Sequence, residues 1–187
     1  DALWIAEGFE IRTLEVNLSG AHTQVMGQVK RGLESMGYDL VAEKMSQGNL
    51  KARLRMSTLY AVANALNYLV IGTDNAAESY TGYFTKYGDG GVDILPISSL
   101  TKTEVRAWAR ILGLPMRIAG RVPTAGLWPG QTDESEMGIT YEQLDRYLLG
   151  EEVPAEIKER IESLHRRSEH KRHLPASLEL PKMKRLD

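Results

Sequence analysis

Residues 69–93 read LVIGTDNAAESYTGYFTKYGDGGVD, and the order of residue types in this stretch sets the expected fold class. A short apolar run, Leu69-Val70-Ile71, stops at Gly72 and gives way to Thr73, Asp74 and Asn75, then to a helical segment holding Glu78 and Lys86. Polar groups gathered just beyond a buried strand mark the crevice above a parallel sheet, where nucleotides bind. The expectation is therefore an α/β domain.

Working outward, the alternation of helix and strand continues on both sides. Ile11 to Leu18 is strand-like, and Ala21 to Met36 carries Val25, Val29, Leu33 and Met36 at helical spacing, with Gly37 to end the helix. Lys44 to Gly48 is polar, and Asn49 stands where a cap belongs before LKARLRMSTLYAVANALNYL. Leu54, Leu59, Val62, Ala63 and Leu66 form the apolar face of that helix, with Arg53 and Arg55 in its opening turns. Downstream, Ile94 to Ile97 is strand-like, and Thr101 to Leu112 reads as a helix with a Thr101/Glu104 capping box. Its apolar face is Val105, Trp108, Ala109 and Leu112. Arg121 to Gly138 lacks either period and reads as a long loop of the kind that covers a ligand. Thr140 and Gln143 cap another helix, and Pro154 opens the last one, held by Ile157, Ile161 and Leu164. The tail from Leu178 is charged and expected to be mobile. Such alternation argues for a parallel sheet flanked by helices.

The chain has 187 residues, 42% hydrophobic and 26% charged, enough for one buried core without staples. Residues 1–175 are read as one domain and 176–187 as a tail. A net charge of −2 gives no global case for nucleic acid or an anionic membrane, so phosphate binding must come from local groups. Cysteine is absent, which excludes disulfides and thiolate metal sites. No apolar run reaches the roughly 18 to 20 residues needed to span a bilayer, and the expected setting is cytoplasmic. The first seven residues, DALWIAE, read as the middle of an amphipathic helix without an initiator methionine, so the chain is expected to begin inside a domain.

Several residues carry two readings. Asn75 and Glu78 are spaced as a capping box, while Thr73 and Glu78 also suit a nucleotide contact and a Mg²⁺ carboxylate. The GDGG turn after Lys86 needs no ligand to explain its glycines, yet Lys86 and Asp93 flank it, and Asp93 interrupts an apolar segment. Arg53 and Arg55 are either a solvated helix face or an anion site. Lys102 lies in the first turn of a helix, where its charge is unfavourable unless an anion neutralises it. The segment HRRSEHKRH, residues 165–173, is a basic helix end or a phosphate-binding stretch.

From Gly48 to Arg172 the chain resembles the NAD synthetases, through GNLKARLRM, VIGTDNAAES, GYFTKYGDGGVDILPIS, LTK, VPTAGL, GQTDESEMGITYEQLD and EHKRHLPAS. The resemblance implies an adenine-nucleotide hydrolase-like α/β fold of the ATP pyrophosphatase type, usually a homodimer; the net charge and the lack of a spanning run argue for no nucleic acid or membrane partner. It implies that ATP activates the nicotinate carboxylate of deamido-NAD as an adenylate, releasing pyrophosphate, and that ammonia displaces AMP. Residue by residue, it implies ATP contacts from Thr73, Lys102 and Thr124, Mg²⁺ binding by Glu78, and deamido-NAD contacts from Arg53, Lys86, Asp93, His170 and Lys171. No protein nucleophile or base is implied. The family's phosphate loop, SGGxDS, is not found in this sequence, so the fold is expected to be incomplete at its N-terminus. Two rival readings are another ATP pyrophosphatase, such as a GMP synthetase or tRNA-modifying relative, and a non-catalytic nucleotide-binding or dimerisation remnant.

Overall fold

The computed structural model describes residues 1–39 and 43–177. Nine α-helices are found among them: α1 (Ala2–Gly8), α2 (Ser19–Ser35), α3 (Glu43–Leu66), α4 (Ala76–Thr81), α5 (Lys102–Ile111), α6 (Met116–Ala119), α7 (Asp133–Met137), α8 (Tyr141–Leu148) and α9 (Ala155–Arg167). A 3₁₀ turn, Glu169–Lys171, follows α9. None of the helices is long and apolar enough to cross a membrane. The tail expected to be mobile, from Leu178, lies outside the described residues.

The core sits in the C-terminal half. Ala77 of α4 is fully enclosed by Met137 of α7, Tyr141 and Leu144 of α8, Ile139 between those helices and Ile161 of α9, with Tyr80, Tyr83 and Leu164 packed around them. This arrangement follows from the caps. Asn75, Thr101 and Thr140 each form a capping box with Glu78, Glu104 and Gln143, so α4, α5 and α8 start where the sequence places them.

The predicted strands at residues 69–71 and 94–97 pair in parallel, through a single bridge between Ile71 and Ile94. Gly72 N–H donates to the Ile94 carbonyl at 2.8 Å, and Asp93 N–H to the Val70 carbonyl at 2.9 Å. Gly72 is required here because a Cβ would lie 2.7 Å from side-chain atoms of both Leu95 and Val92. The expected strand at residues 11–18 is not regular, and Ile11, Leu14 and Val16 are exposed. A strand exists only by pairing, and this segment finds no partner among the described residues.

Three further expectations are corrected. Helix α3 begins upstream of Asn49, which lies inside it and accepts a hydrogen bond from Thr85 Oγ1 at 3.0 Å instead of capping. Gln47 donates to Glu43 at i,i−4, so the polar stretch before Asn49 is helical and Arg53 and Arg55 sit mid-helix, away from the unfavourable end of the dipole. Residues 121–138 are not all loop, because Thr132 caps α7 and three acidic residues occupy its first turn, where the dipole favours them. Finally, the apolar faces of α2 and α5 are not buried: Val25, Val29, Trp108 and Leu112 are exposed, having no covering element among the described residues.

Candidate active site

Just past the Ile71 bridge the chain turns into α4, and the Asn75–Glu78 box sets the geometry of the turn. Asn75 Oδ1 accepts from Glu78 N at 3.1 Å, and Glu78 Oε2 accepts from Asn75 N at 3.1 Å. The cap uses only one carboxylate oxygen. The other, Oε1, accepts from Lys102 Nζ at 2.9 Å and lies 3.2 Å from the Tyr141 hydroxyl. Both readings of Glu78 are therefore compatible, since one oxygen stabilises the helix start while its twin faces outward.

Lys102 is held from two directions. Its backbone N–H and that of Thr103 donate to the buried carboxylate of Asp145, at 3.1 and 2.8 Å, so α8 anchors the start of α5. Its ammonium, unfavourable beside a helix N-terminus, is neutralised by Glu78. It also lies 4.6 Å from the centre of the Tyr141 ring.

These groups open onto a cleft of about 630 Å³ lined by Thr73, Asp74, Glu78, Lys102, Thr124 and Asp133 among others. That volume suits a nucleotide-sized ligand. Arg55, Arg106 and Arg121 also line it, adding three guanidinium groups to the lysine. Thr124 Oγ1 accepts from Gly126 N at 3.1 Å, which shapes the loop at the rim. Behind it the loop is docked on α3: Lys51 Nζ donates to the Leu127 carbonyl at 2.6 Å, Lys44 lies over the Trp128 ring, and both loop residues pack against Gly48.

Asp74, only 6% exposed, stands on the acidic side of the cleft. Burial, then the nearby charges of Asp89 and Glu78, push its carboxyl from the ordinary 3.8 up to about 7. Between about pH 4 and pH 7 the folded protein thus holds a proton that the unfolded chain has released, so stability falls as pH rises through that window. At 1.36 kcal/mol per pH unit the ceiling is about 4 kcal/mol, and water in the cleft lowers the expected effect to about 1–2 kcal/mol. Asp74→Asn should remove that loss and be the more stable protein at pH 8, as read by urea denaturation at pH 5 and pH 8. Identical pH slopes for the two proteins would rule this assignment out.

The remaining sequence-derived residues lie outside this cleft. Arg53 Nη2 donates to the Lys86 carbonyl at 3.4 Å, and Lys86 Nζ donates to the carbonyls of His170 and His173. Lys171 is half-buried, its ammonium donating to the Gly82 and Phe84 carbonyls at 2.7 and 2.6 Å, and desolvation lowers its pKa. Asp93 takes a backbone role, accepting from Val70 N at 2.7 Å and from Tyr60 on α3 at 3.0 Å. Lys86 and Lys171 thereby bind the 170–173 segment to the turn after α4.

Sequence reasoning missed Tyr141, Asp133, Asp145, Arg106 and Arg121. Tyr141 has the periodicity of a core residue, and its hydroxyl meets Glu78 only through tertiary packing. The acids of residues 133–136 read as loop decoration until α7 aims Asp133 inward.

The donor set suits Mg²⁺ better than a metal held wholly by protein. No group of three or more His, Asp or Glu converges on a metal position among the described residues. Glu78 presents one outward oxygen, and Asp133 Oδ1 is buried without a hydrogen-bond partner on the same cleft. A hard cation that takes one or two carboxylates and completes its shell with substrate phosphates and water fits that inventory.

The fold is one found in solved synthetases. It matches an NMN synthetase from Francisella tularensis with a TM-score of 0.86 at 41% identity, over 96% of this chain and 71% of that one. It matches an NH3-dependent NAD synthetase from Campylobacter jejuni with a TM-score of 0.71 at 27% identity, over 96% and 70%. By sequence, an NH(3)-dependent NAD(+) synthetase from Alkaliphilus metalliredigens is 54% identical over 176 residues, spanning 94% of this chain and 71% of the relative. The NAD synthase family profile covers residues 1–175, and the chain belongs to that family.

Proposed function

We propose that this protein is a ligase that amidates deamido-NAD to NAD at the expense of ATP, with ammonia as nitrogen donor, through an adenylated carboxylate. The observation that carries the proposal is the shared cleft, which unites Thr73, Glu78, Lys102 and Thr124. We read the Ile71–Ile94 pair as part of a parallel sheet of the adenine-nucleotide hydrolase-like type. A homodimer working in the cytoplasm, with residues 1–175 as the catalytic unit, completes the proposal.

The chemistry explains the residue types. A free carboxylate resists ammonia because it is anionic and would have to expel oxide, whereas its adenylate expels AMP. Thr73 and Thr124 would hold ATP by neutral hydrogen bonds, and Lys102 would leave Glu78 for a phosphate oxygen, a charge-assisted bond of about 1.5–3 kcal/mol. Glu78, with Asp133 behind it, would hold Mg²⁺, which when bound supplies charge neutralisation on the phosphates. The guanidinium groups of Arg55, Arg106 and Arg121 favour an anionic ligand in the same cleft. Catalysis would then be positioning and electrostatics, without a protein nucleophile.

Arg53, Lys86, Asp93, His170 and Lys171 would form the deamido-NAD side. Lys86→Ala should weaken deamido-NAD binding about tenfold or more, the loss of one charged hydrogen bond, while ATP binding changes much less. Equal weakening of both ligands, measured by calorimetric titration, would overturn that division of the site.

The likeness to the Francisella tularensis NMN synthetase supports a second reading, in which the acid amidated is the mononucleotide, nicotinate mononucleotide. Comparing kcat/KM for the two acids, with NAD or NMN, AMP and pyrophosphate as measured products, decides between them. A higher value for deamido-NAD supports the main proposal, and turnover of neither acid defeats both.

A further inference from the structure

Glu78 does not stand alone behind the cleft. Its outward oxygen, Oε1, has two donors, Lys102 Nζ at 2.9 Å and the Tyr141 hydroxyl at 3.2 Å. The same hydroxyl lies 2.8 Å from Asp133 Oδ2. A phenol has one hydrogen, so Tyr141 serves two carboxylates with a single donor.

The surroundings make Tyr141 rigid. Its ring is 1% exposed and sits in the core with Ala77, Met137 and Ile161. Its backbone N–H donates to Glu134 Oε1 at 2.9 Å, which ties the start of α8 to α7, the helix that carries Asp133. Asp133 in turn is buried, with Oδ1 left without a partner, an arrangement that costs folding free energy. The dipole at the start of α7 favours this carboxylate, and its Oδ2 is the atom that engages the Tyr141 hydroxyl.

We infer that Tyr141, anchored by Asp133, is a positioning residue that keeps Glu78 Oε1 aimed into the cleft once Lys102 turns away to a phosphate. The inference rests on the proposal that Glu78 faces Mg²⁺. Lys102 and Glu78 neutralise each other without ligand, and a nucleotide with its cation must separate them. Glu78 Oε2 stays fixed by the cap on Asn75, so Oε1 needs only one further restraint to hold the carboxylate plane. Tyr141 supplies it from a core position that Lys102 does not disturb.

Tyr141→Phe removes the hydroxyl and keeps the ring, including its face toward Lys102. Calorimetric titration of the full chain with Mg²⁺ in the presence of α,β-methylene ATP should show Mg²⁺ binding weakened about tenfold, the loss expected of one hydrogen bond to a charged group. Binding of the analogue without Mg²⁺ should stay within about twofold. Asp133→Asn, whose own carboxylate borders the cleft, should shift Mg²⁺ affinity in the same direction by less and add nothing when Tyr141 is already Phe; where Tyr141→Phe does not fold, Tyr141→Leu takes its place in the titration. Glu78→Gln is the reference. Loss of Mg²⁺ binding in Glu78→Gln with normal binding in both other variants overturns the positioning role and leaves the metal proposal standing. Unchanged Mg²⁺ binding in Glu78→Gln overturns both. A lowered melting temperature with unchanged Mg²⁺ affinity marks the hydroxyl as structural only, and likewise overturns the inference.

Discussion

Glu78→Gln should reduce NAD formation by about 100-fold or more at saturating substrates, the scale seen when a group that stabilises developing charge is removed. Stability should change far less. A glutamine side-chain oxygen still accepts from Asn75 N, so the capping box survives and α4 keeps its start. What disappears is the charge on the outward oxygen, and with it the partner of Lys102. Lys102 then faces the cleft unneutralised, so ATP affinity without Mg²⁺ should rise or hold while the Mg²⁺ requirement shifts upward. This split separates a metal-facing carboxylate from a merely structural one. Normal turnover at limiting Mg²⁺ would refute the assignment, and a large fall in melting temperature would show that the cap, not the metal, had been lost.

The parts of the site legible in the sequence are those set by neighbours along the chain. Capping boxes depend on residues three apart, so Asn75/Glu78, Thr101/Glu104 and Thr140/Gln143 were all readable and all form. Thr73, Glu78 and Lys102 come together because each sits at an element boundary that such signals mark, whereas Thr124, in the loop between α6 and α7, was named only through the family resemblance. Asn49 shows the limit of that logic. It has the right residue type for a cap, but Thr85 reaches it from 36 positions away, and the helix begins earlier. Tyr141 fails for the same reason in reverse, since a tyrosine on this helix announces core, and neither its hydroxyl's contact with Glu78 nor that of Asp145 with the start of α5 is marked along the chain. Lys86 was legible as a charge beside a glycine turn and Lys171 as part of the basic segment 165–173, but their commitment to backbone carbonyls depends on α9 folding back across α4. The strand at residues 69–71 was recognisable by its apolar run, whereas residues 11–18 intersperse apolar and polar residues and find no partner among the described residues.

Gly82→Ala should be among the most destabilising single-methyl additions in this chain, at about 3–5 kcal/mol. Gly82 ends α4 in the left-handed region, with φ +66° and ψ 31°, which alone costs an alanine about 1 kcal/mol. The larger part is steric. A Cβ would stand 2.2 Å from Ser168 Cβ and 2.4 Å from its Oγ. Ser168 cannot easily yield, because its hydroxyl donates toward the Leu164 carbonyl at 2.8 Å and accepts from Arg172 at 2.9 Å. Arg172 also donates to the carbonyls of Tyr80 and His165, and the Gly82 carbonyl itself holds Lys171. Moving Ser168 therefore loosens the whole 168–173 segment, including His170 and Lys171. Gly113→Ala is the matching control, since φ is +80° there and nothing lies within 4 Å of its Cβ, so it carries the conformational cost alone. Thermal unfolding should lower the midpoint of Gly82→Ala several times more than that of Gly113→Ala, by about 10 °C for a chain of this size. Deamido-NAD affinity should fall with it, and the ATP cleft should be less affected. Equal losses in the two variants would mean that the contact between α4 and the 168–173 segment contributes nothing beyond backbone strain.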